Sequence, residues 1–166
     1  MKEKQKKEVE YRHHMKFEVI ARAIIIVNQE VLLQRNVERD EFALPGGHIE
    51  EGETMKQSLV RELKEETNLE IDVGKLVYVN ENFFEQEGQE FHEIGLYFLA
   101  DIIGEPPSKL ESQESHIDFW FIGLDGLAQI DLYPSFLRTV LPEDAKSIFS
   151  DIEKHIVQKG DEFRIE

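Results

Sequence analysis

The sequence contains no cysteine. Disulfides and thiolate chemistry are therefore excluded, and the composition is compatible with a cytoplasmic location. No run of about twenty apolar residues occurs, so no membrane-spanning helix is expected. The first sixteen residues, MKEKQKKEVEYRHHMK, lack the apolar centre of a secretory signal. Positive charge is scarce: 19 lysines and arginines stand against 35 aspartates and glutamates, a net charge of −16. Such a surface repels a polyanion, which argues against sequence-independent binding to a nucleic-acid backbone. A small phosphorylated ligand stays admissible, provided metal ions neutralise the charge between protein and phosphate. The acidic excess also serves plain solubility.

What is present is a chain of 166 residues, 40% hydrophobic, with eleven phenylalanines. That is enough for one globular domain with a substantial core. Residues 1–16 read as a mobile charged arm and residues 17–166 as a single domain. The run FEVIARAIIIV, residues 17–27, is rich in β-branched side chains and reads as a strand; NQE turns it into a second, residues 31–35. Residues 41–45 are short and extended, because Pro45 biases its predecessor away from helix. After two glycines, residues 54–67 show helical periodicity, with Leu59, Val60 and Leu63 on one side and Gln57 and Lys64 towards solvent. Asn68 stands where the helix should stop, in a residue type second only to glycine at a left-handed cap. Residues 71–84 and 90–103 read as a hairpin, 104–115 as a polar loop, and HIDFWFIGL as a strand. The remainder reads as two helices, residues 135–141 and 142–158, with Pro142 as a first helical residue. The fold class is mixed α/β.

Within GGHIEEGETMKQSLVRELKEETNL, residues 46–69, Glu62, Glu65 and Glu66 crowd onto barely one turn. Like charges three or four residues apart repel by about a few tenths of a kcal/mol per pair. Something must offset that repulsion. At 100° per residue the three fall within an arc of roughly 100°, beside the Leu59–Leu63 stripe. Hard carboxylate oxygens at the margin of a buried face suit Mg²⁺ or Mn²⁺; the alternative is a solvated acidic face. Arg61, next to the arc, is placed to pair with Glu53 in the preceding loop.

From Gly47 the order runs glycine, five residues, Glu53, seven residues, then Arg61-Glu62-Leu63-Lys64-Glu65-Glu66-Thr67-Asn68-Leu69. This closely resembles the Nudix box, G-x5-E-x7-R-E-U-x-E-E-x-G-U with U apolar. One position departs, Asn68 for glycine, and asparagine tolerates the same left-handed backbone. The resemblance implies a mixed sheet in an α/β/α sandwich and metal-dependent hydrolysis of a nucleoside diphosphate linked to a further group X. It implies that Glu62, Glu65 and Glu66 hold Mg²⁺ (or Mn²⁺), joined by the carbonyl of Gly46. It places Arg61 and Glu53 as the pair holding helix to loop, and Gly47 against the substrate.

Outside the box, an additional glutamate in the loop before a tryptophan-bearing strand joins the metal site or acts as base in some relatives. Glu114 occupies that place, with Glu111 a nearby competitor, and either also reads as plain loop charge. Glu93 is placed to face the cleft, with His92 opposite by strand alternation. Arg35 is a candidate for a phosphate or for a surface ion pair. Phe83, Phe84, Tyr97, Trp120 and Tyr133 are candidates to stack on a base, although strand aromatics usually serve the core. His13 and His14 fall in the charged arm. The leading substrate is a nucleoside triphosphate, cleaved to monophosphate and pyrophosphate. Nucleotide-sugar or ADP-ribose substrates stay open, as does a homodimer. A nucleotide sensor without turnover is the contrasting class, expected to show a degraded box.

Overall fold

A computed structural model of the chain describes residues 15–150 and 153–166. His13 and His14, and most of the expected arm, lie outside the described residues; Lys16 already belongs to the first strand. The β-branched opening run forms β1, Lys16–Ile24, then breaks and resumes as β2, Ile26–Val27. A turn with positive φ at Asn28 and Gln29 returns it as β3, Glu30–Asn36. Two short strands, β4 (Glu41–Ala43) and β5 (Gly46–His48), lie on either side of Leu44 and Pro45. The expected helix is α1, Met55–Thr67. Thr54 is its N-cap, in a capping box with Gln57, and Asn68 ends it at φ 59°. Leu59 and Leu63 are fully buried, whereas Val60 is 43% exposed, so the apolar stripe is narrower than its pattern suggested. The hairpin is β6, Ile71–Gln86, with β7, Gln89–Ile102, and the tryptophan-bearing strand is β8, Ile117–Gly123.

The C-terminal expectation needs correction. Beyond the two-residue β9, Leu132–Tyr133, residues 135–138 form only a 3-10 turn. The following helix, α2, spans Val140–Lys146, with Pro142 inside its first turn rather than at its start. There its missing N–H costs nothing, since those donors have no helical acceptor. Ile148 and Phe149 then adopt positive φ. The chain continues as two strands, β10 (Lys154–Lys159) and β11 (Glu162–Ile165). β10 pairs in parallel with β6, from Tyr78 to Phe83. Its Ile156 and Gln158 are buried at period two. Ladder bonds along an otherwise open β6 edge, plus that alternation, outweigh the helix-forming tendency of the local sequence.

The larger sheet has the order β11-β10-β6-β7-β1-β5, and a second sheet β2-β3-β4-β9 carries β8 on β3. Both are mixed: β1 runs parallel to β7 and β4 to β9. One apolar cluster lies under α1 and joins Leu59 and Leu63 to Ala21, Ala23, Leu96 and Phe98. The other lies on the opposite face of β1 and β7, where Ile24, Tyr78 and Tyr97 meet Phe136, Leu137 and Leu141. The result is the expected α/β/α layering, with α1 on one side and the α2 region on the other.

Candidate active site

Arg61 is the centre of a clamp. It donates from Nε to Glu53 Oε2 at 3.1 Å and from Nη2 to Glu53 Oε1 at 2.7 Å. This is a bidentate pair, the strongest arrangement available to these side chains. Glu53 also accepts from the Glu50 N–H at 2.8 Å. These bonds hold the Glu53 carboxyl down to about 2, the Arg61 contact contributing most, and raise the Arg61 pKa in return. Nη2 of Arg61 and Oγ of Ser58 both donate to the His48 carbonyl. Loop and helix are thus fastened at three points.

The same guanidinium holds two of the expected ligands. Its Nη1 donates to Glu62 Oε1 at 2.8 Å and to Glu65 Oε2 at 3.3 Å. Gly47 lies against the Glu62 carboxyl: a Cβ there would stand 2.9 Å from its carbon and would push the carboxyl from its place. Gly46 has φ +130°, and its carbonyl accepts from Arg22 Nη1 at 2.7 Å. Among the described residues, no three His, Asp or Glu side chains converge into a ready cation cage. Glu62 and Glu65 are turned to Arg61 instead.

Glu66 differs. Its Oε2 is buried with no hydrogen-bond partner. Burial, followed by the Glu62 and Glu114 charges, pushes its carboxyl up to about 7. A buried carboxylate oxygen that is unpaired and flanked by further carboxylates fits a divalent cation in place of the missing donor. Glu114 reaches this neighbourhood because its loop is anchored: Leu110 is buried, and the Gln113 N–H donates to the Glu66 carbonyl at 2.9 Å. Its carboxylate is 44% exposed and lies 3.3 Å from His116 Nε2. Glu111, on the same loop, is exposed.

A cavity of about 1190 Å³ opens beside this arc, between the two sheets. It borders the carboxylates through Arg22 and His116 rather than containing them. Glu93, Phe83, Phe84, Tyr97 and Tyr133 line it; Trp120 does not, and is 49% exposed. His92 takes the opposite face as expected, stacked on Phe83 at 4.3 Å. Arg35 is outside the lining and pairs with Asp40 at 2.7 Å and Asp118 at 3.6 Å. Sequence reasoning missed Asn82, Gln34 and Arg22, all in the lining. No local motif marks them; only strand register brings them together.

The family profile described as NUDIX domain matches residues 17–143. The chain is 32% identical over 123 residues to an ADP-ribose pyrophosphatase of Methanocaldococcus jannaschii, covering 72% of this chain and 70% of that protein. It is 38% identical over 142 residues to a CTP pyrophosphohydrolase of Escherichia coli, covering 78% of this chain and all of the other. In three dimensions a NUDIX hydrolase from Nitrosomonas europaea superimposes with TM-score 0.67 at 17% identity, over 86% of this chain and 78% of that one. That last likeness bears on the fold alone. With the box, its clamp and the sandwich all in place, the chain belongs to the Nudix family and is one of its pyrophosphohydrolases.

Proposed function

We propose that the enzyme cleaves the pyrophosphate bond of a nucleoside diphosphate linked to X, and that X is foremost a phosphate. A nucleoside triphosphate would then yield a monophosphate and pyrophosphate. The carrying observation is the unpaired, buried Glu66 oxygen among Glu62 and Glu114, which a cation would pair where the box expects one. Glu62, Glu65 and Glu66, with the Gly46 carbonyl, would hold Mg²⁺ or Mn²⁺, and Glu114 would join them once substrate binds. When bound, such an ion offsets the phosphate charge and acidifies water at the site. Arg61 and Glu53 keep the carboxylates on their helix in register with the loop. Glu65 and Glu114, both solvent-accessible carboxylates, are placed to accept the proton of the attacking water. Gly47 leaves the backbone open to the phosphates, and Arg35, between the lining residues Gln34 and Asn36, would exchange an aspartate partner for one. The relative named a CTP pyrophosphohydrolase, matched along its whole length, supports the triphosphate substrate. The relative named an ADP-ribose pyrophosphatase favours a second reading, in which X is a sugar phosphate.

The test is a panel of nucleoside triphosphates and nucleotide sugars with Mg²⁺ or Mn²⁺, scoring phosphate released with and without an added inorganic pyrophosphatase. Phosphate from triphosphates that depends on the pyrophosphatase is the expected result. Phosphate that instead requires a phosphomonoesterase, from nucleotide sugars only, establishes the second reading. No release from any member overturns both.

A further inference from the structure

The cavity floor is one face of the larger sheet. Strand register sets Arg22 beside Tyr97, Glu93 beside Asn82, and Asn82 beside Gln158. Residues two apart share a face. Between Glu93 and Tyr97, Gly95 has no side chain, and a Cβ there would stand 2.8 Å from the Tyr97 ring. Two polar atoms of the lining are buried without a partner, Asn82 Oδ1 and Gln34 Oε1 from β3, whereas the Tyr97 hydroxyl has Asn80 beside it. Asn82 is only 8% exposed and Tyr97 1%. The neighbouring Gln158 is, by contrast, satisfied: its Nε2 donates to the Gly160 carbonyl at 2.7 Å and to Ser135 Oγ at 3.2 Å. Leaving a buried polar group unpaired is costly. Two such groups in one cavity call for a ligand that pairs with them.

The unpaired atoms are acceptors, two amide oxygens. The Asn82 side chain bonds the Glu93 carboxyl, which fixes the amide nitrogen on Glu93 and leaves its oxygen free. We infer that Asn82 and Glu93, with Gln34, select a nucleobase that carries an exocyclic amine, cytosine or adenine, over uracil or hypoxanthine, which carry a carbonyl there. The amine suits the free Asn82 oxygen, and the Gln34 oxygen is a further acceptor in the same lining. The adjacent ring nitrogen accepts from the Glu93 carboxyl in its protonated form, which burial favours by raising the pKa against the lowering effect of Arg22. A carbonyl in place of the amine would face the oxygens without a hydrogen between. Flat apolar partners for the ring are at hand in Phe84 and Phe91, stacked 4.9 Å apart in the same lining.

This inference rests on the nucleotide reading above, so its test uses binding as well as turnover. Calorimetric titration of the full chain with CMP, UMP, AMP and IMP should show CMP over UMP, and AMP over IMP, by about tenfold or more, the effect of one or two misplaced hydrogen bonds. Asn82→Leu and Glu93→Leu should bring both ratios near one, whereas Glu93→Gln, which keeps a donor and an acceptor, should preserve most of the preference. His92→Leu, on the opposite face of the strand, should leave the ratios unchanged. Wild-type ratios of one, or leucine variants that weaken all four ligands alike, overturn the inference. If a leucine variant does not fold, the wild-type ratios and Glu93→Gln decide. Base preference without any pyrophosphate cleavage would sink the hydrolysis reading and leave this one standing. Cleavage without base preference would do the reverse.

Discussion

Glu66 and Glu114 act at the scale of single side chains, and each has a built-in comparison. Glu66 loses no hydrogen bond on conversion to the amide, since its Oε2 has none. Glu66→Gln should therefore leave the fold intact while cutting turnover at least about a hundredfold, as removal of charge from a metal ligand does; Glu62→Gln should do the same. Near-normal turnover in either would refute the cation assignment. For Glu114, the loop anchored by Leu110 and Gln113 keeps the carboxylate near Glu66 without packing it. Glu114→Gln should lower kcat by roughly ten- to a thousandfold, the range for one positioned acid–base group. KM should move less, because the contact strengthens towards the transition state. Glu111→Gln, on the same loop, is the control. Equal effects of the two, or a larger effect of Glu111→Gln, would remove Glu114 from the site.

At the scale of elements, α1 is held by its ends. Thr54 and Gln57 close the N-terminus reciprocally, and Asn68 closes the C-terminus in a left-handed conformation, donating its N–H to the Lys64 carbonyl. Only glycine and a few polar residues adopt that backbone cheaply. Asn68→Ala should cost about 1 kcal/mol of unfolding free energy in urea titration, and Asn68→Gly should be neutral or slightly stabilising. If alanine were tolerated as well as glycine, the cap would not govern this helix end. The Arg61–Glu53 clamp works differently, since it sets geometry. Arg61→Lys keeps the charge but not the fork. It should lower kcat by more than tenfold, typical of losing a partner that orients ligands, with little loss in melting temperature.

For the whole molecule, the concentration of negative charge becomes a dependence on pH and cations. The Glu66 carboxyl is raised from an ordinary 4.5 to about 7 in the folded state, so the folded protein holds a proton that the unfolded chain has released. Stability must then fall as pH rises from about 4.5 to 7 in the presence of a chelator, and level off above. Glu53 has the opposite sign. Its carboxyl is lowered from 4.5 to about 2, so its contribution is full above 4.5 and is lost as pH falls through 2. Chelated protein should melt highest near pH 5. Glu66→Gln should flatten the decline between 4.5 and 7, and saturating Mg²⁺ should raise the wild-type melting temperature more at pH 8 than at pH 5.5. A Mg²⁺ shift of the same size in the triple Gln variant of Glu62, Glu65 and Glu66 would mean that the ion merely screens the −16 charge.

Local chemistry determined α1, its caps, the loop before it and the Arg61–Glu53 pair, because all of these lie within about twenty consecutive residues and helical periodicity fixes their relative directions. The opening strand run, its return as β3 and the long hairpin were legible for the same reason, as extended runs bounded by turns, although the break between β1 and β2 was not. The C-terminal hairpin was not. Residues 142–158 carry helix-compatible local signals, and only the open edge of β6, over sixty residues away in sequence, gives β10 a ladder to join. Glu93 could be suspected from its strand, but Asn82 and Gln34 could not, since their meeting depends on the register of separate strands. Which glutamates share one turn of α1 was written in the sequence. What lies across the cavity from them was decided by the packing of two sheets, where hydrogen-bond register, not chain proximity, determines which side chains meet.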